Sequence, residues 1–326
     1  MRALLLMLCA VGCALTAPPA VAPELGGPTG VESATAPDGG SAAESDPIAD
    51  AEVGINFGER TMPGTTGDLR VWLYAPEPMP EAPPCVVIAP AGSNMMTGMS
   101  LSRGDRDEHE PYVKAGYVVV SFDVDGVMPE AATDADFLAA YETFRQSGGG
   151  VANAKAALDV ALEAYPSIDD TRIYAAGHSS AGTLALLLAA AEPRIAAVAS
   201  FAPVTDVPLL FGAADTAKLS AGIPGFSEFL TATSPITHAQ ALAAKPVFLF
   251  HAKDDDAVPV AHTKTLHDAM QPRHASSRYE VVDTGGHYQS MIGPGIAAAV
   301  AWFDGLAGLG GKPRHEDVDE PGPVGS

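Results

Sequence analysis

Arg172-Ile173-Tyr174-Ala175-Ala176-Gly177-His178-Ser179-Ser180-Ala181-Gly182 is the stretch that decides how this chain of 326 residues folds. A short β-prone run enters a tight glycine-flanked turn with a serine at its apex. The Ala/Leu-rich run from Thr183 to Ala191 follows at once. A strand, a sharp turn and a helix in immediate succession need small neighbours, because the apex backbone is strained and the flanking elements pack close to it. The pattern is G-H-S-S-A, so Ala181 stands where G-x-S-x-G turns carry a last glycine, with Gly182 just behind. Alanine is the smallest change available, and the turn is expected to survive it. In a shifted register with Ser180 at the apex, the position two before would be His178, too bulky for the turn. Ser179 is therefore preferred over Ser180 as the candidate nucleophile at the apex.

On either side of this turn, strand-like and helix-like runs alternate. Leu69 to Tyr74 alternates in polarity and ends at Ala75-Pro76, which predicts an early antiparallel strand. Cys85 to Ala89 is a continuous apolar run introduced by Pro83-Pro84, as in a central parallel strand. Glu108 to Ala115 reads as a helix stopped by Gly116, and Tyr117 to Phe122 as another buried strand. Val151 to Tyr165 has apolar residues at helical spacing and ends at Pro166. Ile195 to Phe201, Val247 to Phe250 and Arg278 to Val282 are further strands, and Gly295 to Leu306 closes as an amphipathic helix. Strands alternating with helices at this interval predict an α/β fold with a mostly parallel central sheet and helices on both faces. Val207 to Thr233 interrupts the alternation, with Pro208, Gly212, Gly222, Pro224 and Gly225 among apolar residues. It reads either as a small lid or as an ordinary surface helix with loops.

Composition bounds the function. Apolar residues make up 47% of the chain, enough for a sizeable core, and a formal net charge of -22 disfavours nucleic acid or an anionic membrane surface as a partner. Met1-Arg2 and the apolar run from Ala3 to Ala17 read as a secretory signal, short for a bilayer span. Ala10-Val11-Gly12-Cys13 is similar to a bacterial lipobox, which would make Cys13 a lipidation site and hold the protein at the cell envelope by a lipid anchor. It departs from that pattern in carrying Ala10 three residues before the cysteine. Ordinary cleavage after Ala17 or Ala22 is the alternative, although each leaves a proline next. The expected organisation is a signal segment over 1–13, an acidic Ala/Pro/Gly linker over 14–52, one catalytic-size domain over 53–309 and a polar tail over 310–326. Of the three cysteines, only Cys85 falls in the domain, so no disulfide framework is expected there.

A serine hydroxyl is a weak nucleophile at neutral pH and needs a base, which in turn needs an orienting carboxylate. Asp255 and His287 follow Ser179 in that order. Asp255 lies just after the strand from Val247, in His251-Ala252-Lys253-Asp254-Asp255-Asp256-Ala257-Val258-Pro259, and His287 lies after the strand ending at Val282, on the loop Gly285-Gly286-His287. Both positions are carboxyl ends of strands, where open α/β sheets place ligands. Asp254 and Asp256 compete with Asp255 for the carboxylate role. Three successive aspartates also suggest a cation site, but the loop lacks the spaced ligands of a calcium loop, and no metal or cofactor is expected. His178 reads as structural, with its side chain directed away from the site.

From about Asn56 to Leu306 the chain resembles α/β-hydrolases of the dienelactone hydrolase and prolyl oligopeptidase catalytic-domain type. Their H-G-x-x-D-x-x-V-P segment is matched by His251 to Pro259 with Ala252 in place of glycine, which assigns the acid to Asp255. The turn is similar to G-H-S-x-G-G at Ser179, Gly285-Gly286-His287 matches at the histidine, and Ser234-Pro235-Ile236-Thr237 matches a shared segment. The resemblance implies an α/β-hydrolase fold and a serine hydrolase with an acyl-enzyme mechanism carried by Ser179, Asp255 and His287. It implies an oxyanion hole made by the Ser180 N–H and a second donor in the loop Ala91-Gly92-Ser93, where many relatives carry H-G-x; Gly92 and Ser93 both qualify. The β-propeller that gates true prolyl oligopeptidases is not expected, which favours small carboxylic esters over short peptides as substrates. An oligopeptidase-like peptidase and a non-catalytic binding protein are the alternatives. The second is disfavoured because no triad member is missing.

Overall fold

In the computed structural model, residues 54–307 are described. The expected signal segment with Cys9 and Cys13, the linker and the tail from 310 lie outside them. Among the described residues eight strands are present: β1 (Ile55–Pro63), β2 (Asp68–Pro76), β3 (Cys85–Ile88), β4 (Val118–Phe122), β5 (Ile173–His178), β6 (Ala197–Phe201), β7 (Val247–Ala252) and β8 (Arg278–Val282). They form one sheet in the order β1-β2-β4-β3-β5-β6-β7-β8. The contacts β1–β2 and β2–β4 are antiparallel, and every later contact is parallel. This is the α/β arrangement the alternation implied, including the early antiparallel strand.

Helices fill the connections between strands and close the described chain. They are α1 (Arg106–Lys114), α2 (Asp134–Gln146), α3 (Val151–Ala164), α4 (Ser179–Ala191), α5 (Val207–Phe211), α6 (Ala213–Gly222), α7 (Phe226–Ala232), α8 (Ala239–Ala243), α9 (Ala261–Ala269), α10 (Gly286–Ser290) and α11 (Ile296–Ala307). Successive strand residues point to opposite faces, so the sheet divides its apolar side chains between two cores. Cys85 and Val87 join Leu158 and Ala161 of α3 and Leu184 and Leu188 of α4 on one side. Val86 and Ile88 join Tyr112 of α1 and Trp302 and Phe303 of α11 on the other, where Phe303 stacks on Tyr174 at 4.3 Å. Each large side chain buried this way contributes about 1.5–3 kcal/mol. Covering both faces is why the central strands are continuously apolar rather than alternating.

Elements additional to the sequence reading include β1 and α2, besides the short helices α8, α9 and α10. β1 is an edge strand whose residues are mostly outside the core, so INFGERTMP has no apolar alternation to mark it. Helix α2 starts at a capping box between Thr133 and Asp136 and buries Phe137, Ala140, Tyr141 and Phe144. Its partner is the interrupted segment. Val207 to Thr233 forms three short helices, and Phe226 and Phe229 of α7 pack on Tyr141 at ring separations of 5.6 and 5.5 Å. The insert is thus anchored by an aromatic seam rather than resting on the surface.

Candidate active site

The strained turn is present. Ser179 adopts φ 55°, the left-handed region that L-residues avoid, at the junction of β5 and α4; holding it there costs about 1–3 kcal/mol. The reason small residues are needed is visible at Gly177, where a Cβ would sit 2.4 Å from the carbonyl oxygen of Ala181. At Gly182 a Cβ would meet Ser200 Oγ at 2.8 Å and the Gly177 carbonyl at 2.9 Å. Ala181 itself is buried in the core, and the turn accommodates its methyl. Ser179 is 1% exposed. Its backbone opens α4, where the first amides have no intrahelical carbonyl to donate to and the helix dipole favours negative charge.

Asp255 occupies a cage of donors just beyond β7. Its Oδ1 accepts from the amides of Ala257 at 2.9 Å and Val258 at 2.8 Å. Its Oδ2 accepts from His287 Nδ1 at 2.7 Å and lies 3.1 Å from His251 Nε2. The His251 tautomer is determined by its neighbours. Nε2 lies 2.8 Å from the Val258 carbonyl, which only accepts, so Nε2 carries the proton and Nδ1 accepts from the Thr263 hydroxyl at 2.5 Å. Burial alone would raise the Asp255 carboxyl, but the hydrogen bonds from His251 and His287, the charge of His287 and the Val258 amide together hold it well below the usual carboxylate range. Asp255 is therefore the ionised partner of His287. Asp254 faces elsewhere and accepts from the amides of Gly285 and Gly286, which pins the turn before the histidine. Asp256 is exposed.

His287 lies in the first turn of α10, not in an open loop. With its Nδ1–H on Asp255, its Nε2 is a bare lone pair, the form a general base needs. Ser179 Oγ and His287 Nε2 are both buried, and neither has a hydrogen-bond partner. The serine–histidine bond is thus open in this structure; catalytic hydrogen bonds in ligand-free sites commonly close only around substrate. The two residues are linked through His178, immediately before Ser179, whose ring lies 4.4 Å from that of His287. This corrects the expectation that His178 turns away from the site: its Nε2 is 2.9 Å from the His287 carbonyl oxygen.

The loop Ala91-Gly92-Ser93 carries a contact that the sequence did not reveal. The amides of Gly92 and Ser93 both donate to Ser180 Oγ, at 3.0 Å each. Both candidates for the second oxyanion donor are therefore engaged by the side chain of the residue whose own N–H was the first candidate. A two-amide cradle around one oxygen is present, filled by the neighbouring hydroxyl. Among the described residues no group of three or more His, Cys, Asp or Glu side chains is arranged to hold a metal ion. Sequence reasoning passed over His251 as a support for Asp255, although it stands in the quoted His251 to Pro259 segment.

Residues 106–309 match the model of the prolyl oligopeptidase family. No curated protein sequence matches the chain. Among solved structures, the acylaminoacyl peptidase of Pyrococcus horikoshii superimposes with a TM-score of 0.56 at 13% identity, over 78% of this chain and 41% of that one. An esterase of Pyrococcus furiosus superimposes with a TM-score of 0.54 at 16% identity, over 77% and 91%. A 2,6-dihydroxy-pseudo-oxynicotine hydrolase gives 0.56 at 19% identity, over 77% and 68%. At these identities the likeness establishes the α/β-hydrolase fold, and the chain spans about two fifths of the length of the peptidase.

Proposed function

Since this chain belongs to the prolyl oligopeptidase family of serine hydrolases, we propose that it cleaves small carboxylic esters through an acyl-enzyme on Ser179. The observation that carries the reading is the His287 tautomer. Its Nδ1–H is held on a buried ionised Asp255, leaving Nε2 as a lone pair beside the strained serine turn. In the forward step His287 Nε2 takes the Ser179 proton as Oγ attacks the carbonyl carbon. Asp255 stabilises the imidazolium that results. The oxygen that gains charge is received at the N-terminus of α4, with the Ser180 N–H as one donor. The Gly92 and Ser93 amides become the second donor when the Ser180 hydroxyl turns aside. The imidazolium returns its proton to the leaving alcohol. Water, deprotonated by His287, then attacks the acyl carbon and releases the acid and the free serine.

Esters are favoured by the likeness to the Pyrococcus furiosus esterase, 91% of which the superposition spans. An oligopeptidase-like activity is the second reading, favoured by the family itself. The apolar N-terminal segment and Cys13 belong to the same proposal: a hydrolase delivered to the cell envelope and tethered there by lipid. A fluorophosphonate probe tests the chemistry. Folded wild type is expected to label and Ser179→Ala is not, and a panel of acyl esters and peptide amides separates the two readings. A folded wild type that stays unlabelled ends the serine-hydrolase reading.

A further inference from the structure

Behind the His287 turn lies a buried polar pair that the mechanism does not use. Glu108 of α1 is 7% exposed, His178 is 4% exposed, and Glu108 Oε1 lies 3.8 Å from His178 Nδ1. On the opposite side of the same ring, Nε2 bonds the His287 carbonyl oxygen. A carbonyl only accepts, so the single proton of neutral His178 must sit on Nε2. Nδ1 is then a lone pair, buried and without a hydrogen-bond partner, directed at the carboxyl group. A carboxylate facing that lone pair repels it and finds no donor, whereas a protonated carboxyl can donate to it.

Resting on the serine-hydrolase reading, we propose that protonated Glu108 and His178 form a positioning pair for His287. The carboxyl O–H faces Nδ1, keeps the His178 proton on Nε2, and thereby holds the backbone of the base beside Ser179. Ionising Glu108 reverses this. The ring proton is then preferred on Nδ1, where it can reach the carboxylate, and Nε2 presents a lone pair to the His287 carbonyl. The bond that holds α10 is lost.

The surroundings agree with this assignment. Burial, then the charges of Asp105 and Asp107, push the Glu108 carboxyl up to about 8. Burial, then His287, pushes His178 down to about 3, so it is neutral across the working range. Asp255 and His251 act on His178 with opposite signs, the first raising and the second lowering it, and the remaining titratable neighbours are tyrosines. Tyr288 of α10 is raised to about 12 by burial and then by Glu108, and Tyr112 of α1 is raised by burial and then by Glu108. The facing residues of β3, β5 and β6 and of the segment leading into α11 (Ile88, Ala176, Gly177, Phe201, Met291 and Ile296) carry no charge. Within this cluster, Glu108 is the group that changes charge around pH 8.

The test is the rate of fluorophosphonate labelling of the full chain from about pH 6 to about pH 10. Wild type is expected to lose rate on the alkaline side with a midpoint near pH 8. In Glu108→Gln the amide donates to Nδ1 as the acid does and cannot ionise. Its rate at neutral pH stays within about 3-fold of wild type, and the alkaline fall disappears. His178→Gln, which keeps an N–H for the His287 carbonyl, retains more activity than His178→Leu, which is expected to lose about 10-fold or more. A packing role alone would alter melting temperature and leave the alkaline limb in place. Labelled wild type without that limb, or a Glu108→Gln profile that superimposes on it, overturns the positioning pair while the hydrolase reading stands. Folded wild type that is unlabelled at every pH removes both.

Discussion

Replacing Gly177 with alanine should damage both the fold and the reactivity of Ser179, and the structure sets the scale. The new Cβ would lie 2.4 Å from the Ala181 oxygen, 2.5 Å from its carbonyl carbon and 2.9 Å from the Gly182 nitrogen. All three are backbone atoms of α4, so no side-chain rotation relieves the overlap. Ordinary carbon–oxygen contact needs about 1 Å more, and α4 must move away from β5 by roughly that amount. Over-packing a core costs about 1–3 kcal/mol, and rigid backbone on the receiving side places this substitution at about 3 kcal/mol. For a domain of this size that lowers the melting temperature by about 6–12 °C. A displacement of about 1 Å at a reacting atom typically costs about 100-fold in rate. The assay is thermal unfolding together with fluorophosphonate labelling below the transition. Gly222→Ala, where an added Cβ meets nothing within 4 Å, is the control and should leave both unchanged. If Gly177→Ala melts within about 2 °C of wild type and labels within about 3-fold, the close approach of strand and helix is not what holds the serine.

Asp255→Asn retains an acceptor for the Ala257 and Val258 amides but presents an N–H to His287 Nδ1, which favours the wrong tautomer of the base. Labelling should fall by about 10⁴-fold with little change in stability; a loss below 10-fold would return the role to another aspartate. Ser180→Ala removes the shared acceptor of the Gly92 and Ser93 amides. It should destabilise the protein by about 1–3 kcal/mol, read by chemical denaturation, and slow labelling as the loop loosens. Unchanged stability would mean that those amides find water instead.

The α/β architecture was legible because each part of it is written locally. Cys85 to Ile88 and Val247 to Phe250 are apolar at every position, as strands covered on both faces must be, and the serine turn announces itself through its small residues. β1 was not legible, since an edge strand with solvent on most of its side chains carries little apolar pattern. Asp255 could be ranked among three adjacent aspartates by resemblance, but its separation from Asp254 comes from which amides and imidazoles converge on it. The expectation that His178 turns away from the site failed, and the engagement of the Gly92 and Ser93 amides by Ser180 Oγ was not foreseen, because nothing within a few residues of either reveals its partner.

The sequence by itself determined strands β2 to β8, the helices α1, α3, α4 and α11 that cover them, and the order of serine, acid and histidine along the chain, because periodicity, small residues at a turn and strand ends are properties of neighbouring residues. Only the tertiary structure decided that Ser180 fills the two-amide cradle, that His251 and His287 share one carboxylate oxygen, and that Glu108 faces His178. Except for His251 and Asp255, four residues apart, those contacts join residues dozens of positions apart, and a buried polar group declares its role only once the fold has brought its counterpart beside it.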